Sequence, residues 1–266
     1  MVKNIISKIL GKFNLTIINQ DLVVKIDNER KNYRHKSQKL QYIFLNDRIK
    51  NPYKVYELSK ESTSQVFQDL FVLNETNFKQ HGYFIEIGAA DGKYFSNSYL
   101  LEKKYGWQGL LVEPARIWHK ELKENRNCQI STDCIFDKSG IEVEFIETKK
   151  PSYSQIRKNS NIFEDTHINL RKNINKKYYL KTKTLNDLFA EYSVPNNIDY
   201  ISIDTEGTEY EILKGVDFKK YNIHIISVEH NNAKKREKIF NLLTTNNYLR
   251  VQTEFSQFDD WYILNS

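Results

Sequence analysis

The sequence predicts an α/β protein built on a doubly wound, seven-stranded and mostly parallel sheet that ends in an antiparallel hairpin, with helices on both faces. Three observations carry this. Apolar strand-like runs alternate with helix-like patterns from residue 83 onward, the pattern of a parallel sheet covered on both sides. The last two strand runs are separated only by Phe255–Asp259, too short for a crossover helix, so they pair as a hairpin and the final strand runs antiparallel. Polar residues close five consecutive parallel strands, at Gly88–Gly92, Glu113, Asp133, Asp204 and Glu229–His230, on the rim where open α/β sheets bind ligands.

The elements follow in order. Val66, Phe67, Leu70, Phe71 and Leu73 recur at helical spacing, and the pattern stops between Asn77 and Gly82. Strands are expected at 83–87, 109–112, 129–134, 199–203, 223–229, 248–252 and 260–264, and helices at 95–105, 115–125, 184–192, 208–214 and 233–245. Thr208, with Glu211 three residues on, is read as a capping box for the fourth of these helices. Between Ile141 and Lys183 the alternation lapses: one strand pattern (Ile141, Val143, Phe145) precedes a polar insertion over about 147–183. Such insertions in α/β enzymes carry specificity, and a plain irregular segment is the alternative.

A chain of 266 residues buries one sizeable core with appendages, giving a domain over 63–266 and an extension over 1–62. The net charge of +6 belongs to the extension, because thirteen Lys/Arg against five acids in residues 1–60 leave +8 there and −2 for the rest. The domain itself therefore gives no electrostatic sign of binding nucleic acid, beyond one cluster of Tyr178–Tyr179 with Lys176, Lys177, Lys181 and Lys183. Val2, Ile5, Ile6, Ile9, Leu10 and Phe13 form an apolar stripe with lysines beside it. A helix over residues 1–13 of that kind either lies on an anionic membrane surface or packs on its own domain. Residues 14–60 are polar and weakly periodic and are read as a linking region. Two cysteines, Cys128 and Cys134, make no disulfide framework or metal spacing, and no apolar run approaches a bilayer span, so a cytoplasmic protein, peripheral at most to the inner membrane face, is expected. Oligomeric state is not legible.

The most informative segment is Phe84-Ile-Glu-Ile-Gly88-Ala-Ala-Asp-Gly92, followed by Gly109-Leu-Leu-Val-Glu113-Pro114. A small-residue turn after one strand and a carboxylate after the next is how a doubly wound sheet holds a nucleoside, the carboxylate accepting from both ribose hydroxyls. The glycines are expected to let the backbone pass close to that ligand. The turn lacks the G-x-G-x-x-G spacing that brings a helix N-terminus to a pyrophosphate. Glu86-x-Gly88-x-x-x-Gly92 suits a ligand with a sulfonium and an amino group, so S-adenosylmethionine is favoured over other nucleotides. In Asp199-Tyr-Ile-Ser-Ile-Asp204-Thr-Glu206-Gly-Thr-Glu209 three carboxylates crowd behind an apolar strand. With Glu229 and His230 they can hold a hard cation or deprotonate a hydroxyl.

Taken with Ser64-Gln65, Gln68-Asp69-Leu70, Ser96-Asn97-Ser98, Gly106-Trp107, Arg126-Asn-Cys128 and Leu213-Lys-Gly215, these motifs resemble the FkbM-type methyltransferases over about residues 64–264. The resemblance implies the Rossmann-like class I methyltransferase fold and S-adenosylmethionine-dependent O-methylation, with a small-molecule or glycan hydroxyl as acceptor. Carried over by position, Glu86, Gly88, Asp91 and Asn97 would surround the methionine portion, Gln65 would close over it, Glu113 would take the ribose, and Asp133 with Cys134 the adenine. Ala89, Gly92 and Pro114 complete that set. The family turn often has Asp in place of Glu86 and Asn in place of Ala90.

A sugar hydroxyl needs a base or a metal to attack a sulfonium methyl. One reading places Mg²⁺ or Mn²⁺ on Asp204, Glu229 and His230, although neighbouring strand residues normally face opposite ways. Another makes His230 the general base, oriented by Asp204 or Glu206. A non-catalytic cofactor-binding module in a glycan-assembly complex and a nucleic-acid methyltransferase are the rival classes; the retained acidic rim weighs against the first.

Overall fold

The computed structural model describes Asn28 and residues 36–157, 173–230 and 235–265. The amphipathic segment 1–13 lies outside the described residues. The chain divides into two compact units, Met1–Pro52 and Tyr53–Ser266. In the first, residues 36–45 are helical; a further helix spans Pro52–Leu58, with proline at its first position, where the missing N–H costs nothing. The sequence there is rich in good helix formers but poor in apolar periodicity, which is why it reads as a linker. Residues 53–62 go with the second unit: Ser62 and Ser64 both donate to Asp69 Oδ1, at 2.8 and 2.6 Å.

The second unit holds the seven-stranded sheet. Its strands are β1 (Tyr83–Ile87), β2 (Gln108–Val112), β3 (Gln129–Ser131), β8 (Asn197–Ile203), β9 (Asn222–Glu229), β10 (Tyr248–Val251) and β11 (Asp259–Leu264), in the order β10-β11-β9-β8-β1-β2-β3. Only β11 runs against its neighbours, pairing antiparallel with both β10 and β9. The chain order reverses between β8 and β2 across β1, and such a switch point opens a crevice at the strand ends.

Among the described residues six helices flank the sheet: α1 (Gln68–Glu75), α2 (Tyr99–Tyr105), α3 (His119–Asn125), α4 (Leu185–Glu191), α5 (Glu209–Lys214) and α6 (Lys235–Thr245). Ile85 and Ile87 of β1 pack with Leu188, Ile212 and Leu243 of α4, α5 and α6 in one fully buried cluster. The alternate residues Phe84 and Glu86 face the other side, where Phe71 of α1 stacks on Trp261 of β11 with ring centroids 4.6 Å apart. Local chemistry sets the ends. Thr184 caps α4 by accepting from Asp187 N at 3.2 Å, and Gly106 stops α2 in the left-handed region at φ 64°. The expected box at Thr208 does not form: Glu211 pairs with Lys235 at 2.8 Å, and Glu209 takes the turn's donors instead.

The insertion is more regular than its composition suggests. A second sheet of order β4-β7-β5-β6 joins Cys134–Ile135, Ile174–Lys183, Glu142–Thr148 and Gln155–Arg157. The long β7 is exposed and lysine-rich along much of its length, so it shows little of the alternation that marks a strand. It forms because β5 offers partners in register: Glu142 opposite Lys181, Glu147 opposite Lys176, and Phe145 opposite Tyr178, rings 5.4 Å apart.

Candidate active site

The turn after β1 is shaped by its own chain. Gly88 sits at φ 86°, and a Cβ there would lie 1.7 Å from the carbonyl oxygen of Asp204. That carbonyl is so close because β8 and β1 leave the sheet bonded to each other, Asp204 N donating to Ile87 O at 2.9 Å. At Gly92, φ 76°, a Cβ would meet Leu122 Cδ1 at 2.6 Å and Arg126 Cγ at 2.7 Å. Both glycines therefore answer to protein atoms, where the sequence suggested ligand volume. Between them Ala90 is held at φ 47°, a conformation that strains any residue with a Cβ. Asp91 Oδ1 accepts from Lys93 N (2.9 Å) and Tyr94 N (2.7 Å), so it fastens the loop that carries Tyr94 and Phe95.

Glu86 organises the next loop. It accepts from Asn97 N (2.7 Å), from Ser96 Oγ (2.8 Å) and from Ser98 Oγ. Arg126, its side chain fully buried, donates to Glu102 (2.6 Å), the Gly92 carbonyl (3.0 Å), Ser96 Oγ (3.1 Å) and Ser98 Oγ (2.9 Å), and lies 3.7 Å from Glu86. Burial alone would raise Glu102; the Arg126 charge and hydrogen bonds outweigh it and hold the group at about 2. Asn97 Nδ2 donates to Ser202 Oγ at 2.9 Å, and Ser202 is linked through Ser227 to the Tyr200 hydroxyl, a buried polar row behind the strand ends. Arg126 belongs to a motif the sequence displayed, but nothing in spacing gave its role.

Glu113 closes β2 in a cup of backbone donors. Its Oε2 accepts from Ala90 N at 2.8 Å and its Oε1 from Ala115 N at 2.7 Å. Burial pushes the carboxyl up to about 7 against those two bonds, with the charges of Asp204 and Glu147 adding to the rise. A diol that donates two hydrogen bonds suits such a desolvated acceptor. Asp133 accepts from Ser131 Oγ at 2.6 Å and pairs with Lys183 at 2.8 Å, and burial drives the Cys134 thiol up to about 12, so it stays neutral.

At the ends of β8 and β9, Asp204, Glu206 and Glu229 each offer an oxygen within 4.8 Å of the others. Glu206 is in the left-handed region at φ 62°, and the turn is fixed by Glu209 Oε1, which accepts from Thr205 N (3.0 Å), Thr205 Oγ1 (3.0 Å) and Gly207 N (2.8 Å). Burial, then the charges of Asp204, Glu206 and Glu209 and a hydrogen bond with Asp204, raise Glu229 well above the ordinary carboxylate range. His230 is not brought into this group. Its ring is buried, with Nε2 3.8 Å from Asp260, whose carboxylate also binds Arg236 at 2.8 and 2.9 Å. Strand alternation sends Glu229 and His230 to opposite faces, and burial lowers the imidazole pKa.

One cavity of about 630 Å³ joins these parts. Gln65, Glu86, Gly88, Ala89 and Asp91 line it with Glu113, Pro114, Asp133 and Cys134, and the rim residues Asp204, Glu206 and Glu229 reach the same space. Gly92, Asn97 and His230 do not line it. Gln65 is held there because Gln68 Oε1 accepts from Val66 N (2.8 Å) while Gln68 Nε2 donates to Asp259 (2.5 Å). Burial, with the charges of Asp204 and Asp260, takes Asp259 to about 8. Tyr94 and Phe95 also border the cavity, exposed and with ring centroids 3.9 Å apart.

The Methyltransferase FkbM domain profile matches residues 86–262, and the chain belongs to that family. It is a S-adenosylmethionine-dependent methyltransferase of α/β fold. No curated protein sequence matches the chain. Among solved structures it is similar to precorrin-6y C5,15-methyltransferase of Geobacter metallireducens, at 9% identity and TM-score 0.40 over 73% of this chain and 84% of that one. It is similar also to the ribosomal protein L11 methylase of Lactobacillus delbrueckii subsp. bulgaricus (11%, 0.37, 73% and 74%). A SAM-dependent methyltransferase of Aquifex aeolicus gives 10%, 0.36, 80% and 97%.

Proposed function

We propose that this methyltransferase transfers the methyl group to a hydroxyl oxygen of a carbohydrate, a sugar nucleotide or surface glycan, in the cytoplasm. The observation that carries the reading is the single cavity running from the Glu113 cup to the acidic rim, bordered by Tyr94 and Phe95. Exposed aromatic faces suit the C–H face of a sugar ring, and a rim of carboxylates suits its hydroxyls. Both cysteines are free, as expected in a reducing compartment.

The chemistry asks for alignment first. Acceptor oxygen, methyl carbon and sulfur must lie on one line, and fixing that geometry supplies several kcal/mol, on the order of 7 or more in favourable cases. The Glu86–Arg126 network and the Gln68–Asp259 bond hold the two loops that would position the methionine end. The C–O bond forms as the C–S⁺ bond breaks, its electron pair neutralises the sulfonium, and the hydroxyl proton passes to a rim carboxylate. Burial and the crowded carboxylates raise Glu229, and a carboxylate so raised is a better proton acceptor than an exposed one.

Three carboxylate oxygens within 4.8 Å also fit a hard cation, and Asp204, Glu206 and Glu229 would hold it in place of the expected set with His230. A Mg²⁺ or Mn²⁺ ion there would relieve the crowding that raises Glu229 and lower the pKa of a bound hydroxyl. Incubation with labelled S-adenosylmethionine and a panel of hydroxylated sugars, with and without EDTA, tests the reading. Label in a sugar is the expected result, and label in no sugar while other small molecules are methylated refutes the carbohydrate acceptor. Activity lost to EDTA and restored by Mg²⁺ supports the metal; full activity in EDTA leaves the carboxylate base alone.

A further inference from the structure

The charges around the cavity fall into two sectors. Seven carboxylates border it, and among the described residues that do so Lys149 and Lys150 are the only cations. Both stand in the turn between β5 and β6 of the second sheet. Other basic residues of that sheet are matched by acids: Lys176 and Lys181 face Glu147 and Glu142 across the strands, Lys177 and Arg157 approach Glu144 to 3.8 and 3.5 Å, and Lys183 pairs with Asp133. Lys149 and Lys150 form no ion pair with any described residue. Their turn is nevertheless built, with Lys149 N donating to Asn173 O (2.8 Å), Thr148 N to Ser154 Oγ (3.3 Å) and Tyr153 N to Lys150 O (3.0 Å). The wall continues through Ser152, Tyr153, Ser154 and Gln155, where Ser152 and Ser154 add hydroxyl donors. One sector of the cavity thus offers acceptors and negative charge, and the other offers donors and positive charge.

A neutral sugar would leave the two lysine charges of the second sector without a counter-charge. We infer that the acceptor carries a phosphoryl group, held by Lys149, Lys150 and the hydroxyls of Ser152 and Ser154, while its hydroxyl faces the carboxylate rim. This rests on the carbohydrate reading above and narrows it to sugars joined to phosphate. Ammonium groups and hydroxyls are the donors that phosphate oxygens take, and partly exposed lysines make such binding sensitive to salt.

The test is calorimetric titration of the full chain, loaded with S-adenosylhomocysteine, with inorganic pyrophosphate, glucose 1-phosphate and glucose. Pyrophosphate and glucose 1-phosphate should bind more tightly than glucose, and the K149Q/K150Q double variant should weaken both by about tenfold or more while keeping its affinity for S-adenosylhomocysteine. Equal pyrophosphate binding by wild type and variant overturns the inference. So does a fall in S-adenosylhomocysteine affinity, which would place the lysines on the cofactor carboxylate. Uridine diphosphate against glycerol phosphate separates a nucleotide sugar from a phosphodiester glycan, either one supporting the wall. Methylation of a neutral sugar with a KM that the double variant does not change sinks the phosphate inference and leaves sugar methylation standing. Pyrophosphate binding without methylation of any sugar does the reverse.

Discussion

Replacing Gly88 with alanine separates two explanations of the glycine turn. If the glycine exists to admit the cofactor, the variant loses binding and keeps its stability apart from the cost of a positive φ. The structure says otherwise, because the new Cβ would lie 1.7 Å from Asp204 O, a backbone atom that cannot swing aside. Relief requires β1 and β8 to part at their ends, which threatens the bonds Asp204 N to Ile87 O and Gly88 N to Val112 O, both 2.9 Å. Two backbone bonds at about 1 kcal/mol each, with roughly 1–2 kcal/mol for an L-residue in the left-handed region, give about 3–4 kcal/mol. For a unit of this size that is about 6–16 °C in Tm. Gly140 supplies the control: its φ is 78°, yet nothing lies within 4 Å of a Cβ built there. Gly140→Ala should cost only the conformational part, about 1 kcal/mol and roughly 3 °C. The assay is thermal unfolding of both variants without ligand, followed by circular dichroism. If Gly88→Ala and Gly140→Ala unfold within a degree or two of each other, the steric argument is wrong and the glycine serves the ligand after all.

Other outcomes follow from single groups. Glu113, raised to about 7 in the free enzyme, must be ionised to accept from two ribose hydroxyls, so affinity for S-adenosylhomocysteine should rise with pH between about 5 and 7 and level off above, by up to tenfold per unit, and Glu113→Gln should flatten that profile in calorimetry. The same raised value, with Asp259 at about 8, means the folded state holds protons the unfolded chain has lost; stability of the free enzyme is full below about pH 4 for these groups and falls as pH rises through 7 to 8, visible in urea unfolding across that range. Removing the buried charge with Arg126→Met should destabilise by about 3–5 kcal/mol, since Glu102 and Glu86 are left uncompensated, and Arg126→Lys should recover little because one ammonium cannot reach four acceptors; recovery of wild-type Tm by Lys would contradict this. Ala90→Asn, which tolerates φ near 47° better, should add about 0.5 kcal/mol, read as a Tm increase of one or two degrees. Asp204→Asn should lower kcat by about 100-fold with little change in S-adenosylhomocysteine affinity, and an unchanged kcat would remove the rim from the chemistry.

The sheet was legible because its information is one-dimensional. The central parallel strands are buried on both faces, so Phe84–Ile87, Leu110–Val112 and Tyr200–Ile203 stand out as largely apolar runs whose polar terminators mark the cavity rim. Where partners are distant in sequence that signal fails. Strand β7 is held by registry with β5, from Glu142 opposite Lys181 to Thr148 opposite Ile174, and its own composition points to solvent. Glu211 met the spacing of a capping box, yet Lys235 offers it a full charge 2.8 Å away while Glu209 reaches three donors of the turn, so a tertiary ion pair and a better-placed carboxylate displaced the local rule. At His230 strand alternation was the relevant rule, and the ring lies beside the Asp260–Arg236 ion pair, its Nε2 3.8 Å from Asp260. The site's strained positions, Ala90, Phe95 and Glu206, are non-glycine residues at positive φ, which sequence gives no reason to expect. They persist because surrounding bonds over-determine them: Ala90 N is tied to Glu113, and the backbone on either side of Glu206 is tied to Glu209. Ala90 and Phe95 share the loop after β1 and Glu206 lies in the loop after β8; both loops border the cavity, and a ligand that drew Glu113 or Glu206 toward itself would act on the backbone through those same bonds.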